Sequence, residues 1–503
     1  MEIRRRPSSL ALAWLGLGVV LFATGAKLAL IHRYGTDQPF ADQWAAEGMY
    51  FLRGPLYYQV DLSQIISPHG EHRPGLTRLW VRGLILANGG QWDCFVELVA
   101  NLLIYGVFLA VVWRWLASLV EGFWLGVATV VMAVLFALPC AYENFLWGFQ
   151  SCFLFMLLAG VLHVTGTLQS SFPSVRWWVA QCIGLAGLFS IAAGAMSAAA
   201  LMGLAGLGLL HGRRNGWAWS TLAANAILFG LGVWLLPGAL APAGDRIAQL
   251  GQALAGTGYL LAWPYSGVGW SVLLQAPWVT LLVASCRSRN GEQAAGDRRV
   301  GAIGLWVAGI AFSIAYGRAL TAGNIGVRYY DLLLLGLLMS FLALVRIGLR
   351  LTHWRRLLWG TMGCGWLLLV AAGVWNYNRP ERLGPMFKYQ HDLAIEQRQL
   401  VRDFLVSSDP AKLQEFEQTA HRFPHFQITL DFLRDPKVPP FLPPSLTPDG
   451  HAGPLSRLAV RTAARWPWVL GAGVLLLVAG TIRLGAGIPK NQPPHAPIAS
   501  PIL

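Results

Sequence analysis

Leu10-Ala11-Leu12-Ala13-Trp14-Leu15-Gly16-Leu17-Gly18-Val19-Val20-Leu21-Phe22-Ala23-Thr24-Gly25-Ala26-Lys27-Leu28-Ala29-Leu30-Ile31 follows Arg4, Arg5 and Arg6 near the start of the chain. The run is longer than the apolar region of a cleaved signal and has the roughly 20 residues needed to cross about 30 Å of hydrocarbon. It reads as an uncleaved first span. The rest of the chain agrees: of 503 residues, 55% are hydrophobic and 12% charged, against about a quarter charged in a soluble domain. Water is not the main solvent of this protein.

Further apolar runs lie at 94–112, 120–138, 146–168, 177–191, 196–210, 218–236, 267–285, 300–316, 329–345, 357–375 and 467–485. With 10–31 they predict an all-α, polytopic membrane bundle of about twelve spans. The net charge of +14 is spread over short loops and forms no single basic face, which excludes a nucleic-acid interface. Those arginines are read as topology determinants. With the N-terminus cytoplasmic, Arg114, Arg176, Arg213, Arg214, Arg287, Arg346 and Arg350 all fall in inside loops, as the positive-inside rule requires. The six cysteines are widely spaced in or beside apolar runs with no CxxC pair, so neither disulfides nor thiolate metal sites are expected.

This register predicts four non-cytoplasmic segments: 32–93, a short loop at Tyr142-Glu143-Asn144, 317–328, and 377–466. The domain reading is a membrane module 1–376 with its long periplasmic loop 32–93, a small, mainly helical periplasmic domain 377–466, a last span 467–485 and a cytoplasmic tail 486–503. Within 377–466, a charged helix is expected at 389–406. Asp409-Pro410 should open a second through His421, and 436–448 is proline-rich and extended.

The polar residues that stand out all fall on the outside face. Thr36-Asp37-Gln38-Pro39-Phe40-Ala41-Asp42-Gln43-Trp44 follows the first span. An acid at a membrane surface suits a general base, and Asp42, then Asp37, are the candidates; the same aspartates also suit loop solvation or a helix cap. Ser67-Pro68-His69-Gly70-Glu71-His72-Arg73-Pro74 precedes a helix from about Leu76. Arg73 with His69 and His72 suits a phosphate, whereas a capped loop with Glu71 paired to Arg73 is the plainer reading. A zinc site on His69, Glu71 and His72 is disfavoured by the spacing and the flanking prolines. Tyr142, Glu143, Asn144 and Gln150 put an acid and amides at the mouth of the fourth span. Arg318, Arg328 and Tyr329 flank the tenth, where Arg328 either clamps a lipid phosphate or snorkels to headgroups.

Asp42-Gln43-Trp44, Pro68-His69-Gly70-Glu71-His72-Arg73 and Glu143-Asn144-Phe145-Leu146-Trp147-Gly148-Phe149-Gln150, with the Arg-Tyr pair opening a late span, resemble a bacterial GT-C-like family of integral-membrane glycosyltransferases. The resemblance covers most of residues 30–330. It implies an inner-membrane enzyme that takes a sugar from a polyprenyl-phosphate donor and passes it, with inversion, to a lipid or polysaccharide acceptor of the cell envelope. Asp42 would be the base, with Asp37 or Glu71 as alternates. His69, His72, Arg73, Arg318, Arg328 and Tyr329 would line the donor side, and Trp44, Tyr142, Glu143, Asn144 and Gln150 the acceptor side or the pocket wall. Many class members carry two near-adjacent acids, whereas here Gln43 follows Asp42. No cofactor is expected, and a divalent metal is not favoured, because a monophosphate leaving group needs less neutralisation than a diphosphate. Two other classes compete: a lipid or glycan transporter, disfavoured by span interiors that read as almost charge-free, and a non-catalytic partner that binds an envelope protein through 377–466.

Overall fold

In hydrocarbon every backbone N–H and C=O must be satisfied within its own segment, which leaves helices as the natural spanning element for this composition. The computed structural model describes residues 9–48, 62–237, 246–287, 291–318, 326–420, 426–447 and 451–486. Among these every regular element is helical and none is a strand. Expectations placed on Arg4 to Arg6, His421 and the tail from 487 lie outside the described residues, as does the side chain of Arg318.

Among the described residues eleven helices are long and apolar enough to cross a membrane, so the chain is a multi-pass integral membrane protein. The elements are α1 Ser9–Tyr34, α2 Gly75–Ala87, α3 Cys94–Ala117, α4 Gly122–Ala137, α5 Ser151–Leu168, α6 Val175–Gly187, α7 Met196–Leu210, α8 Gly216–Trp234 and α9 Arg246–Leu261. They continue with α10 Val268–Arg287, α11 Glu292–Arg318, α12 Tyr330–Gly348 and α13 His353–Tyr377. The run at 177–191 folds as α6, only 13 residues and so about 20 Å long at 1.5 Å per residue. The chain still changes sides there, because Ala192, just beyond α6, donates its amide to His72 at the end of the bundle where α5 begins. The helix predicted at 300–316 starts earlier, at Glu292, because Asp297 is neutralised: Arg346 Nε lies 2.7 Å from its carboxylate and Arg350 binds it too.

α1 is closed against the last span, α18 Trp466–Ala486, through glycines. A Cβ at Gly25 would fall 2.7 Å from the Leu470 backbone and one at Gly18 2.9 Å from Leu477, while Gly473 and Gly480 stand against Phe22 and Leu15 in the same way. Partner numbers fall on one helix as they rise on the other, so the pair is antiparallel. Small residues let two backbones approach in lipid, where apolar side chains gain little from leaving the solvent.

The segment after α13 folds as α14 Pro380–Ser407, α15 Ala411–Ala420, α16 Phe426–Arg434 and α17 Pro454–Ala464. α14 begins earlier than the charge pattern predicts, because Pro380 occupies its first turn. It ends at Ser408, whose φ is +60°, and the Asp409 carboxylate accepts the Ala411 amide at 3.0 Å. The proline-rich stretch lies on the first loop: Trp92 donates its amide to the Phe441 carbonyl at 2.7 Å, and Leu442 and Leu446 are buried. Trp44, Trp92, Phe404 and Phe432 share one apolar core, so this unit is packed onto the loop after α1.

Candidate functional site

The first loop reverses sharply at Ala41, whose φ of +48° is a left-handed conformation seldom taken by a residue with a side chain. The Asp42 carbonyl then accepts from Ala45 and Ala46 and starts a helical turn, Trp44–Gly48. This sets the Asp42 carboxylate at the loop surface, 35% exposed, with His69 Nε2 3.8 Å away. Asp37 has a different setting. It accepts from Ser445 Oγ at 2.7 Å and faces Arg398 at 3.7 Å, so it ties the loop to the α14–α17 unit.

His69 and His72 exchange backbone hydrogen bonds of 2.8 and 3.0 Å across a tight turn in which Gly70 takes φ +53°. Arg78, fully buried in α2, holds the base of that turn through the carbonyls of Ile65 and Ser67 at 3.0 and 2.7 Å. His72 Nδ1 accepts the Ala192 amide at 3.2 Å, which leaves the ring proton on Nε2, facing Glu71 at 3.5 Å. The Arg73 guanidinium is held by the carbonyls of Ile66 and Leu235, at 2.9 and 2.8 Å, so Glu71 pairs with His72 and Arg73 with the backbone.

Between α4 and α5 the chain runs in short turns through residues 139–150. Gly148 is required there: a Cβ would lie 2.2 Å from Glu97 Oε2 and 2.8 Å from Gln43 Nε2. Its carbonyl accepts from Asn101 at 2.9 Å. Arg328 sits in the turn that opens α12. Its Nη1 is 3.5 Å from Glu143, and its guanidinium lies 5.9 Å from the Trp147 ring centroid and 5.6 Å from that of Tyr329. Asn144 donates to the Arg328 carbonyl and to Asp331, each at 2.9 Å.

Three segments distant in sequence therefore meet around Trp147 and Phe149. Phe40 packs edge-on to Trp147 at 6.1 Å, His69 to Phe149 at 5.6 Å, and Arg328 lies on Trp147 within the field of both Glu143 and Asp42. Asp42, His69, Glu143, Asn144, Arg328 and Tyr329 are brought together. Asp37 and Arg73 face other partners. Trp44 is closed to solvent against Trp92 and Phe432, at 6.0 and 6.3 Å. Tyr142 is buried against Phe387 at 5.0 Å, and Gln150 is buried at the foot of α5.

Two polar groups beneath the site escape a reading of the sequence by loops. Gln43 Nε2 donates to Glu97 at 2.9 Å and to Glu47 at 3.2 Å, a bridge between two buried carboxyls, and Trp92 Nε1 donates to Glu97 at 2.8 Å. Burial pushes the Glu47 carboxyl up to about 8, against the opposing pull of the Gln43 and Trp92 hydrogen bonds and the Arg78 charge. Deeper, Lys27 binds the Leu138 carbonyl and lies 4.5 Å from the Phe145 ring centroid, and it shares an electrostatic network with Asp331, Tyr105 and Asn144. The lone charge in the run at 10–31 is the sequence signal for this network. Among the described residues no cluster of three or more His, Cys, Asp or Glu is arranged to hold a metal.

No protein-family model and no curated protein matches the chain. Its sequence and its helices establish a polytopic, all-helical integral membrane protein with a polar site at one end of the bundle.

Proposed function

We propose that the protein is a membrane glycosyltransferase of GT-C-like type, which transfers a sugar from a polyprenyl-phosphate donor to a cell-envelope acceptor on the periplasmic face of a bacterial inner membrane. The observation that carries this reading is the meeting of a partly exposed acid, Asp42, with a mostly buried guanidinium, Arg328, around the Trp147–Phe149 aromatic pair. Asp42 accepts the proton of the acceptor hydroxyl as its oxygen bonds to the anomeric carbon from the face opposite the phosphate. The carbon–oxygen bond to the lipid phosphate breaks, and its electron pair leaves with the phosphate beside Arg328. His69, 3.8 Å from Asp42, orients the carboxylate. Trp147 and Phe149 give the sugar apolar faces to stack on. The periplasmic assignment rests on the arginines of the opposite end, where Arg346 and Arg350 meet Asp297 and Arg213 binds the Ser285 carbonyl.

The test is turnover of a labelled polyprenyl-phosphate sugar. Arg328→Ala should raise KM for the donor, because the guanidinium acts on the phosphate before reaction as well as during it. An unchanged KM and kcat would remove Arg328 from the site. A lipid or glycan transporter is the second reading, favoured by Lys27 and Asp331 within the spans, since ionisable groups at membrane depth commonly line a transport path. They are, however, fully or almost fully buried and interact with each other beneath Asn144, an arrangement that suits support of the Arg328 turn.

A further inference from the structure

α17 has two opposed faces. Leu455, Leu458 and Ala459 roof an apolar groove of about 880 Å3 that runs along α1 and α3. Its wall on α1 extends from Leu12 to Leu28, about 24 Å at 1.5 Å per residue, most of the depth of a hydrocarbon layer. Ser456, Arg457 and Arg461, on the other face of α17, line a polar cavity of about 460 Å3 with Asp37, Asp93 and Arg398. The two spaces flank one helix turn at the end of the bundle where the last span begins.

The polar cavity carries uncompensated positive charge. Three guanidiniums face two carboxylates, and both acids are already engaged: Asp37 with Ser445 and Arg398, and Asp93 with the Phe95 and Val96 amides of α3 at 2.8 and 3.3 Å. Burial lifts the Asp93 carboxyl to about 6, which still leaves it mostly ionised at neutral pH, so the cavity keeps an excess of one positive charge. Among the described residues neither Arg457 nor Arg461 has a carboxylate partner, and Arg398 Nε is buried with no acceptor. An oxyanion with several acceptor oxygens satisfies such a set, and a guanidinium cluster selects phosphate for its paired donor geometry. The amides at the start of α17 are not the attraction, since Asn88 Oδ1 already accepts from Leu455 and Ser456.

We propose that this cavity and groove form a binding site for an anionic, phosphate-bearing lipid, with the phosphate among Arg398, Arg457 and Arg461 and the chain between α1 and α3. The site is separate from Asp42 and Arg328 and does not depend on glycosyl transfer. It joins α1, the first loop, α14 and α17, so an occupied site holds the α14–α17 unit on the membrane module.

The test uses the full-length protein in a neutral detergent. Phosphatidylglycerol, phosphatidylcholine or inorganic phosphate is added, and lipid retention and thermal unfolding are measured. The double variant Arg457→Ala/Arg461→Ala removes only exposed side chains, and Val107→Trp fills the groove without touching the arginines. Wild type should retain phosphatidylglycerol and gain thermal stability from it. Both variants should lower its affinity about tenfold or more, the double variant by losing the equivalent of one charge-assisted hydrogen bond and Val107→Trp by excluding the chain. Equal retention of phosphatidylglycerol by wild type and the double variant would overturn the site. Equal protection by inorganic phosphate alone would assign the cavity to a free anion and overturn the lipid reading.

Discussion

Asp42 owes its setting to a backbone conformation that Ala41 adopts under constraint, at φ +48°, and such strain is usually kept where a side chain must point one way. Asp42→Asn keeps the shape and loses the proton acceptor. If Asp42 is the base, kcat should fall about 10²- to 10⁴-fold with donor binding preserved; a threefold loss would move the role to Asp37 or Glu71, tested by Asp37→Asn and Glu71→Gln. Glu47 gives a pH signature that does not involve turnover. Its carboxyl is raised from 4.5 to about 8, so the stability it contributes is fully present below about pH 4.5 and is lost as pH rises to about 8. Melting curves of the detergent-solubilised protein should show this slope, and Glu47→Gln should flatten it; an identical slope in the variant would contradict the burial assigned to Glu47. Asp42, His69, Glu143 and Arg328 were legible in the sequence because each is a polar residue beside an apolar run. Glu47 and Glu97 were not, since their significance lies in a shared partner, Gln43, that only the folded loop brings between them. Nor was the commitment of Arg73 to two backbone carbonyls.

At the level of elements, the spans were readable because length and apolarity are what lipid demands of a helix. The departures have local causes. α6 is short because the chain turns back at Leu188–Ile191 toward His72, and α11 is long because Asp297 is paired. α16 and α17 were invisible as helices in a segment dominated by prolines and charge, and their apolar faces make sense only against the first loop and α1. The glycine contact between α1 and α18 yields a direct expectation. Gly25→Leu or Gly473→Leu should force the two spans apart and lower the melting temperature well beyond the effect of Gly471→Leu, whose position is open. Equal effects at the three positions would remove the close approach from the packing scheme. Gly148→Ala should act differently, displacing Gln43 and Glu97 from beneath the site, with loss of turnover at near-wild-type expression.

Across the whole molecule, the polar site, the α14–α17 unit and the anionic-lipid cavity occupy one end of the bundle, and the Arg346 and Arg350 pairs with Asp297 the other. Cysteines placed at Asp42 and at Arg287 should therefore respond oppositely to an impermeant thiol reagent in intact cells, with position 42 labelled and position 287 silent; the reverse pattern would invert the orientation. On the proposed function, this end of the bundle makes a glycosidic bond. The most direct measurement is single-turnover assay of proteoliposomes loaded with a radiolabelled polyprenyl-phosphate sugar and an envelope extract as acceptor, comparing wild type with Asp42→Asn. The expected result is label in a base-stable glycosidic product with wild type and almost none with the variant. Label that crosses the bilayer still attached to its lipid, equally in both proteins, would contradict glycosyl transfer and leave a transporter.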